Sequence, residues 1–127
     1  MNYSATSIAD AIKKAKRVFI VGNGGSYANA SHIANDLLAH GVPAFTLDAA
    51  TLTASANDYG YETVFARWLE TVGSEGDLLV ALSGSGTSPN ILAAIEAAKS
   101  KRMEVVLVSD HLRSLDMQAS EEDQKIV

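Results

Sequence analysis

The segment Leu78-Leu79-Val80-Ala81-Leu82-Ser83-Gly84-Ser85-Gly86-Thr87-Ser88-Pro89-Asn90 carries the densest set of groups able to hold an anion. An apolar run gives way to a turn bearing the hydroxyls of Ser83, Ser85, Thr87 and Ser88, while Gly84 and Gly86 let backbone N–H groups approach a ligand closely. Ser88 suits a helix N-cap and Pro89 the first helical position, so the positive end of the following helix is expected to face the same point. A phosphate group binds in such a place without any lysine. An ordinary capped helix behind a polar loop accounts for the same residues, and the local pattern alone does not separate the two readings.

A second turn, Gly22-Asn23-Gly24-Gly25-Ser26, follows the apolar run Val18-Phe19-Ile20-Val21. Its glycines do not have the dinucleotide spacing G-x-G-x-x-G, and a tight strand-to-helix turn fits them equally well. His32 and Asp36, four residues apart, share one face of the helix expected after this turn. There they could ligate a metal, share a proton, or form only a surface pair worth about 0.2–0.5 kcal/mol. Asn57-Asp58, beside Tyr59-Gly60, serve either as a helix stop or as partners for sugar hydroxyls. His40, Arg67 and His111 have no motif around them and read as solvated or packing residues. Phe65 and Trp68, at helical spacing with Val64 and Val72, read as core or subunit contacts.

The elements that must position these groups follow from hydrophobic periodicity. The first strand covers Val18 to Val21, and helical spacing then runs to about Ala39, with Ile33, Ala34, Leu37 and Leu38 as its apolar face. Pro43 to Leu47 reads as a strand, Ala49 to Ala56 as a helix of small residues, and Tyr61 to Val72 as a further helix. Asp77 to Leu82 is the third strand, Pro89 to Ser100 its helix, and Glu104 to Val108 a valine-rich fourth strand. This alternation predicts an α/β fold, a parallel sheet covered on both faces and joined by right-handed crossovers. Both glycine-containing turns fall at strand carboxyl ends, where open sheets of this kind bind ligands, so the two can converge on one molecule. Beyond Asp110 no clear period remains, although Ser120-Glu121-Glu122-Asp123 resembles a helix start.

A chain of 127 residues is expected to form one domain that buries roughly two-thirds of its unfolded surface. Its net charge of −5, with the basic residues scattered, argues against a nucleic-acid backbone as the main partner. A small phosphate ester held by local hydroxyls and helix N-termini suits this charge better than a polyanion. The absence of cysteine removes disulfides and thiolate metal sites. No run approaches the ~20 apolar residues of a membrane span. The first residues lack a basic flank followed by an apolar stretch, so the expectation is a cytoplasmic protein without a membrane partner.

Taken in order, VGNGGSYANASHIANDL, LTASANDYGYETVFARWLE and GDLLVALSGSGTSPNIL resemble the sugar isomerase (SIS) domain family, and most of all its phosphoheptose isomerase branch, over residues 18–109. The resemblance implies a three-layer α/β/α sandwich with a parallel, flavodoxin-like sheet, usually assembled as a homotetramer with sites at subunit boundaries, so the expectation is a homo-oligomer, a tetramer or a dimer. It implies that Ser83, Gly84, Ser85 and Ser88 hold a sugar phosphate, that Asn23, Gly24, Gly25 and Ser26 line the same pocket, and that Asn57 and Asp58 touch the substrate. In these isomerases a histidine and a glutamate four residues later bind zinc, and the glutamate moves a proton between C1 and C2 through an enediol.

The matching residues here are His32 and Asp36, which makes Asp36 the implied base and both residues implied zinc ligands. Aspartate is shorter by one methylene, and a displacement on the order of 1 Å can cost ~10²-fold in rate. The family's arginine four residues further on is His40 here, and Gln124 stands at the position of a C-terminal glutamine ligand. The histidine that follows it in the family would fall past Val127, so the expectation is either a chain cut short or a domain that has given up part of the site. The implied activity is aldose–ketose isomerisation of sedoheptulose 7-phosphate to a heptose 7-phosphate. The alternative is a non-catalytic SIS module that senses a sugar phosphate or binds a protein partner such as a replication initiator. A third reading is a structural fragment that folds by pairing with other subunits.

Overall fold

Short apolar runs pair as parallel strands: β1 (Val18–Gly22), β2 (Ala44–Thr46), β3 (Leu78–Leu82) and β4 (Glu104–Val108), in the order β2-β1-β3-β4. The computed structural model describes residues 5–109. The expectations for His111, for the helix start at Ser120 and for Gln124 lie outside them. Every residue of β1 and β3 is buried, as a central pair covered on both faces requires. In register, Val18 faces Leu78 and Gly22 faces Leu82, so the two strands end level with each other.

Period-two alternation sorts the strand side chains into two layers of core. Phe19, Val21, Leu79, Ala81 and Leu107 pack against α4 (Val64–Val72) and α5 (Pro89–Ser100), chiefly on Val64, Phe65, Leu69, Ile91, Ala94 and Ala98. Leu52 and Ala56 of α3 (Ala49–Tyr59) lean on that same side. Val18, Ile20, Leu78, Val80 and Val106 face the opposite way, toward α1 (Ala5–Lys14) and α2 (Gly25–Ala39), meeting Ala11, Ala30 and Ala34. The result is the expected three-layer α/β/α sandwich. Phe65 belongs to the buried core, and Trp68 packs edge-on to Phe19 with ring centroids 5.2 Å apart.

Several boundaries differ from the sequence expectation: β1 runs one residue further, to Gly22, and α3 continues past Ala56 through Asn57 and Asp58 to Tyr59. β2 covers only Ala44–Thr46 rather than Pro43 to Leu47, and just beyond it the Leu47 carbonyl accepts the Tyr27 hydroxyl at 2.6 Å. The segment after Gly60, whose φ is 99°, begins as a 3₁₀ turn over Tyr61–Thr63 before α4 forms. Asp77 lies just ahead of β3 rather than within it, with its carboxylate turned to Arg17: Nε donates to Oδ1 at 3.2 Å and Nη2 to Oδ2 at 2.7 Å. At the start of α3, Asp48 accepts the Thr51 N–H at 2.9 Å, and the Thr51 hydroxyl and amide hold its carboxyl below the usual carboxylate range.

Candidate functional site

The strand order fixes where a ligand can be held. From β1 the chain leaves through α2 to the edge strand β2, and from β3 it leaves through α5 to β4 on the other side. The crossovers part company between β1 and β3, which makes the carboxyl ends of these two strands the switch point of the sheet. The turn after β1 and the turn after β3 therefore lie side by side, as the level ends of Gly22 and Leu82 require.

Each turn opens a helix whose N-terminus has no side-chain cap. Gly24, with φ 57°, is the N-cap of α2 and brings no side chain, while Ser88 is the N-cap of α5 in extended conformation without its hydroxyl bonding the first turn. Pro89 occupies the first turn of α5, as its fixed φ suits. Two helix dipoles thus present their positive ends at this edge of the sheet without a side-chain partner for that charge, the Ser26 N–H donating to the Asn23 carbonyl at 2.9 Å.

Hydroxyls complete the rim. Ser83 is buried and its Oγ accepts the Gly86 N–H at 3.0 Å; Ser85 Oγ accepts both the Thr87 N–H at 3.1 Å and the Thr87 hydroxyl at 3.2 Å. A serine that accepts still has its own proton to donate, so both residues remain able to donate to an anion. Ser109, at the end of β4, donates to the Gly84 carbonyl at 3.2 Å and steadies the turn from below. Beside these groups opens a cleft of about 310 Å³ between α2 and the ends of β3 and β4, lined by Ser26, Asn29, His32, Ser83, Gly84 and Ser109 among others.

The family model described as the SIS domain matches residues 1–109. The chain belongs to the SIS domain family. It is 40% identical over 116 residues to a phosphoheptose isomerase of Hamiltonella defensa, covering 86% of this chain and 56% of that protein. A phosphoheptose isomerase of Serratia proteamaculans is 42% identical over 113 residues, covering 84% of this chain and 58% of that one. Among solved structures, phosphoheptose isomerase from Francisella tularensis superposes with a TM-score of 0.78 at 31% identity, covering 94% of this chain and 70% of that one. The enzyme GmhA from Neisseria gonorrhoeae gives 0.76 at 30%, with 92% and 66% covered. This SIS chain spans somewhat more than half the length of the two curated relatives.

Within the SIS fold the implied site residues fall into three groups. Ser26, His32, Ser83 and Gly84 meet at the cleft, and Gly24, Gly25, Ser85 and Ser88 form the turns beside it. Asn57 and Asp58 stand exposed in the last turn of α3, where Asn57 Nδ2 donates to Asp58 Oδ1 at 3.1 Å, and neither lines the cleft. His32 Nε2 is 3.3 Å from Asp36 Oδ2, with the two side chains 76% and 59% exposed. The His40 ring lies at the C-terminal end of α2, its Nδ1 2.9 Å from the Asp36 carbonyl oxygen. Arg67 is stacked over the Tyr59 ring at 3.6 Å, a packing role of the kind expected for it.

Among the described residues no group of three histidines, cysteines or carboxylates is placed to hold a metal ion. His32 and Asp36 offer two donors, whereas catalytic zinc takes three from the protein, so the described residues by themselves do not make a zinc site.

Two residues that sequence reasoning passed over hold the side chain of the first turn. Asn90 and Tyr61 both bond to Asn23, and Asn90 is 2% exposed. The signal for Asn90 was present: it shares the helical spacing of the buried Ala94 and Ala97, an inward position where an amide must find a partner.

Gly22 shows how tightly the first turn is drawn. A Cβ there would lie 2.8 Å from the Ser26 backbone. Gly22→Ala is therefore expected to push the start of α2 outward at a cost of about 1–3 kcal/mol, measurable as a lowered Tm.

Proposed function

We propose that this chain is the phosphosugar-binding domain of an aldose–ketose isomerase acting on sedoheptulose 7-phosphate. The observation that carries this reading is the pair of helix N-termini without side-chain caps, set side by side at the switch point and surrounded by serine hydroxyls. The names of the curated relatives and of the similar structures support the same substrate class.

In the proposed reaction the phosphate is fixed by backbone N–H groups and the Ser83 and Ser85 hydroxyls, which leaves the carbonyl end of the sugar to reach along α2 toward His32 and Asp36. Asp36 takes a proton from C1 of the ketose, the C1–C2 bond gains double-bond character, and O2 takes up a proton to give the enediol. The enediol then loses its O1 proton and is protonated at C2, so no atom is gained or lost. A second group must exchange protons with O1 and O2, and His32, 3.3 Å from Asp36, is placed to help. The site is further proposed to be completed by a second subunit of a homo-oligomer. A zinc ion would require a further ligand from outside the described residues.

A second reading has its own observation: Asp36 is largely exposed, where water competes for its proton. A non-catalytic sensor or partner-binding module would keep the phosphate rim and dispense with the base. The two readings separate in one assay. An isomerase held in heavy water with sedoheptulose 7-phosphate yields the aldose and incorporates solvent deuterium, while thermal stabilisation by the ester without exchange or turnover establishes the sensor. No stabilisation and no turnover overturn both.

A further inference from the structure

Asn23 is held by three hydrogen bonds that leave its side chain little to give a ligand. Its Oδ1 accepts the Tyr61 hydroxyl at 2.6 Å and Asn90 Nδ2 at 2.8 Å, which occupies both lone pairs. Its Nδ2 donates to Asn90 Oδ1 at 2.9 Å, closing a reciprocal amide pair and leaving one N–H. The three partners come from three places: Asn23 from the turn after β1, Asn90 from the first turn of α5, and Tyr61 from the 3₁₀ turn that follows α3.

We propose that Asn90 and Tyr61 are positioning residues which, through Asn23, lock the two phosphate-binding turns at one separation. The proposal deepens the functional reading above and rests on it for the identity of the ligand. Two helix N-termini act together on one phosphate only if their spacing is fixed before it arrives, because ordering them on binding would subtract from affinity. A backbone tie between the turns is not available at this rim, since the strand pairing of β1 and β3 ends at Gly22 and Leu82. The amide pair carries the tie one residue beyond the sheet on the β1 side. Tyr61 extends it to the end of α3, where Asn57 and Asp58 stand. Asn90 is buried, so its amide has no water to turn to and its pairing with Asn23 is obligatory.

The test is hydrogen–deuterium exchange on the unliganded protein, read together with titration of sedoheptulose 7-phosphate, for Asn23→Ala, Asn90→Ala, Tyr61→Phe and the double variant Asn23→Ala/Asn90→Ala. Asn90→Ala is expected to speed exchange in both turns, residues 22–28 as well as 83–90, and to weaken the ester by about 10–100-fold. Tyr61→Phe, which removes only the hydroxyl of an exposed ring, is expected to keep the parent Tm, speed exchange over residues 22–28 and weaken binding by about 3–10-fold. The double variant is expected to lose clearly less affinity than the losses of Asn23→Ala and Asn90→Ala added together, because the two amides act as one unit.

Exchange that rises only in the segment carrying the substitution, or losses that add in the double variant, overturn the proposal. Should Asn90→Ala fail to fold, Tyr61→Phe decides: parent exchange over residues 22–28 and parent affinity refute the lock. A parent protein that takes no phosphate ester overturns the functional reading instead, and the exchange pattern then decides the lock by itself.

Discussion

Asp36→Asn is expected to lower isomerisation of sedoheptulose 7-phosphate by about 10²–10⁴-fold while changing its affinity by no more than about twofold. Asparagine keeps the shape and can still meet His32, but it cannot accept the C1 proton. Asp36 lies on α2 beyond the phosphate turns, so the grip on the ester is untouched. Steady-state kcat and KM, with deuterium incorporation at the reacting carbon, separate the two effects. A variant that loses affinity in step with kcat, or that turns over at the parent rate, removes Asp36 from the role of base. Asp36→Glu adds the methylene that the family's isomerases have and is expected to raise the rate rather than lower it.

Arg17→Ala is expected to cost about 2–3 kcal/mol of stability, somewhat below the ~3–5 of a fully enclosed pair because the Arg17 side chain is 39% exposed. The Asp77 side chain is wholly buried, and without Arg17 its carboxylate keeps, among the described residues, the Ser74 amide and hydroxyl, at 2.9 and 3.2 Å. Arg17 also donates to the Val72 carbonyl at 2.8 Å and covers the Phe19 ring at 5.2 Å, so packing is lost with the charge. This clasp precedes β1 and β3, at the end of the sheet opposite the proposed phosphate rim. Urea unfolding is therefore expected to show the loss while the parent affinity for a phosphate ester persists, and a large fall in affinity would contradict that separation.

The sheet was legible because β1 and β3 are unbroken apolar runs, a signal that burial on both faces enforces, and because the half-covered edge strand β4 is rich in valine. Of the outer-layer helices, α2, α4 and α5 were legible from their apolar spacing and α3 from its run of small residues, which buries no residue completely and leans on the core through Leu52 and Ala56, whereas α1 was not read from the sequence. Strand order could not be read from periodicity, since nothing local says that β3 skips β2 to pair with β1; the resemblance to a known family carried that part. The two turns were legible because glycine and serine at strand ends have few other uses.

The amide pair joining the turns was not legible. Asn23 and Asn90 are 67 residues apart in the chain, and a contact between two such positions leaves no periodic trace. The family resemblance implies that Asn23 lines the pocket, and the fold bonds its side chain to Asn90 and Tyr61. Nor could spacing tell a base from a surface pair at His32 and Asp36. Their 3.3 Å approach on an exposed helix face is what either role produces, and only chemistry distinguishes them.

The most direct test of the phosphate rim is to follow backbone amide resonances while sedoheptulose 7-phosphate is titrated into the protein. Amides of residues 24–27 and of residues 84–88 are expected to shift together, with one saturation curve, and inorganic phosphate is expected to move the same set. Shifts confined to one turn, or centred on the aromatic hollow around Phe45 and Trp68 near the edge strand, would contradict a phosphate held between β1 and β3.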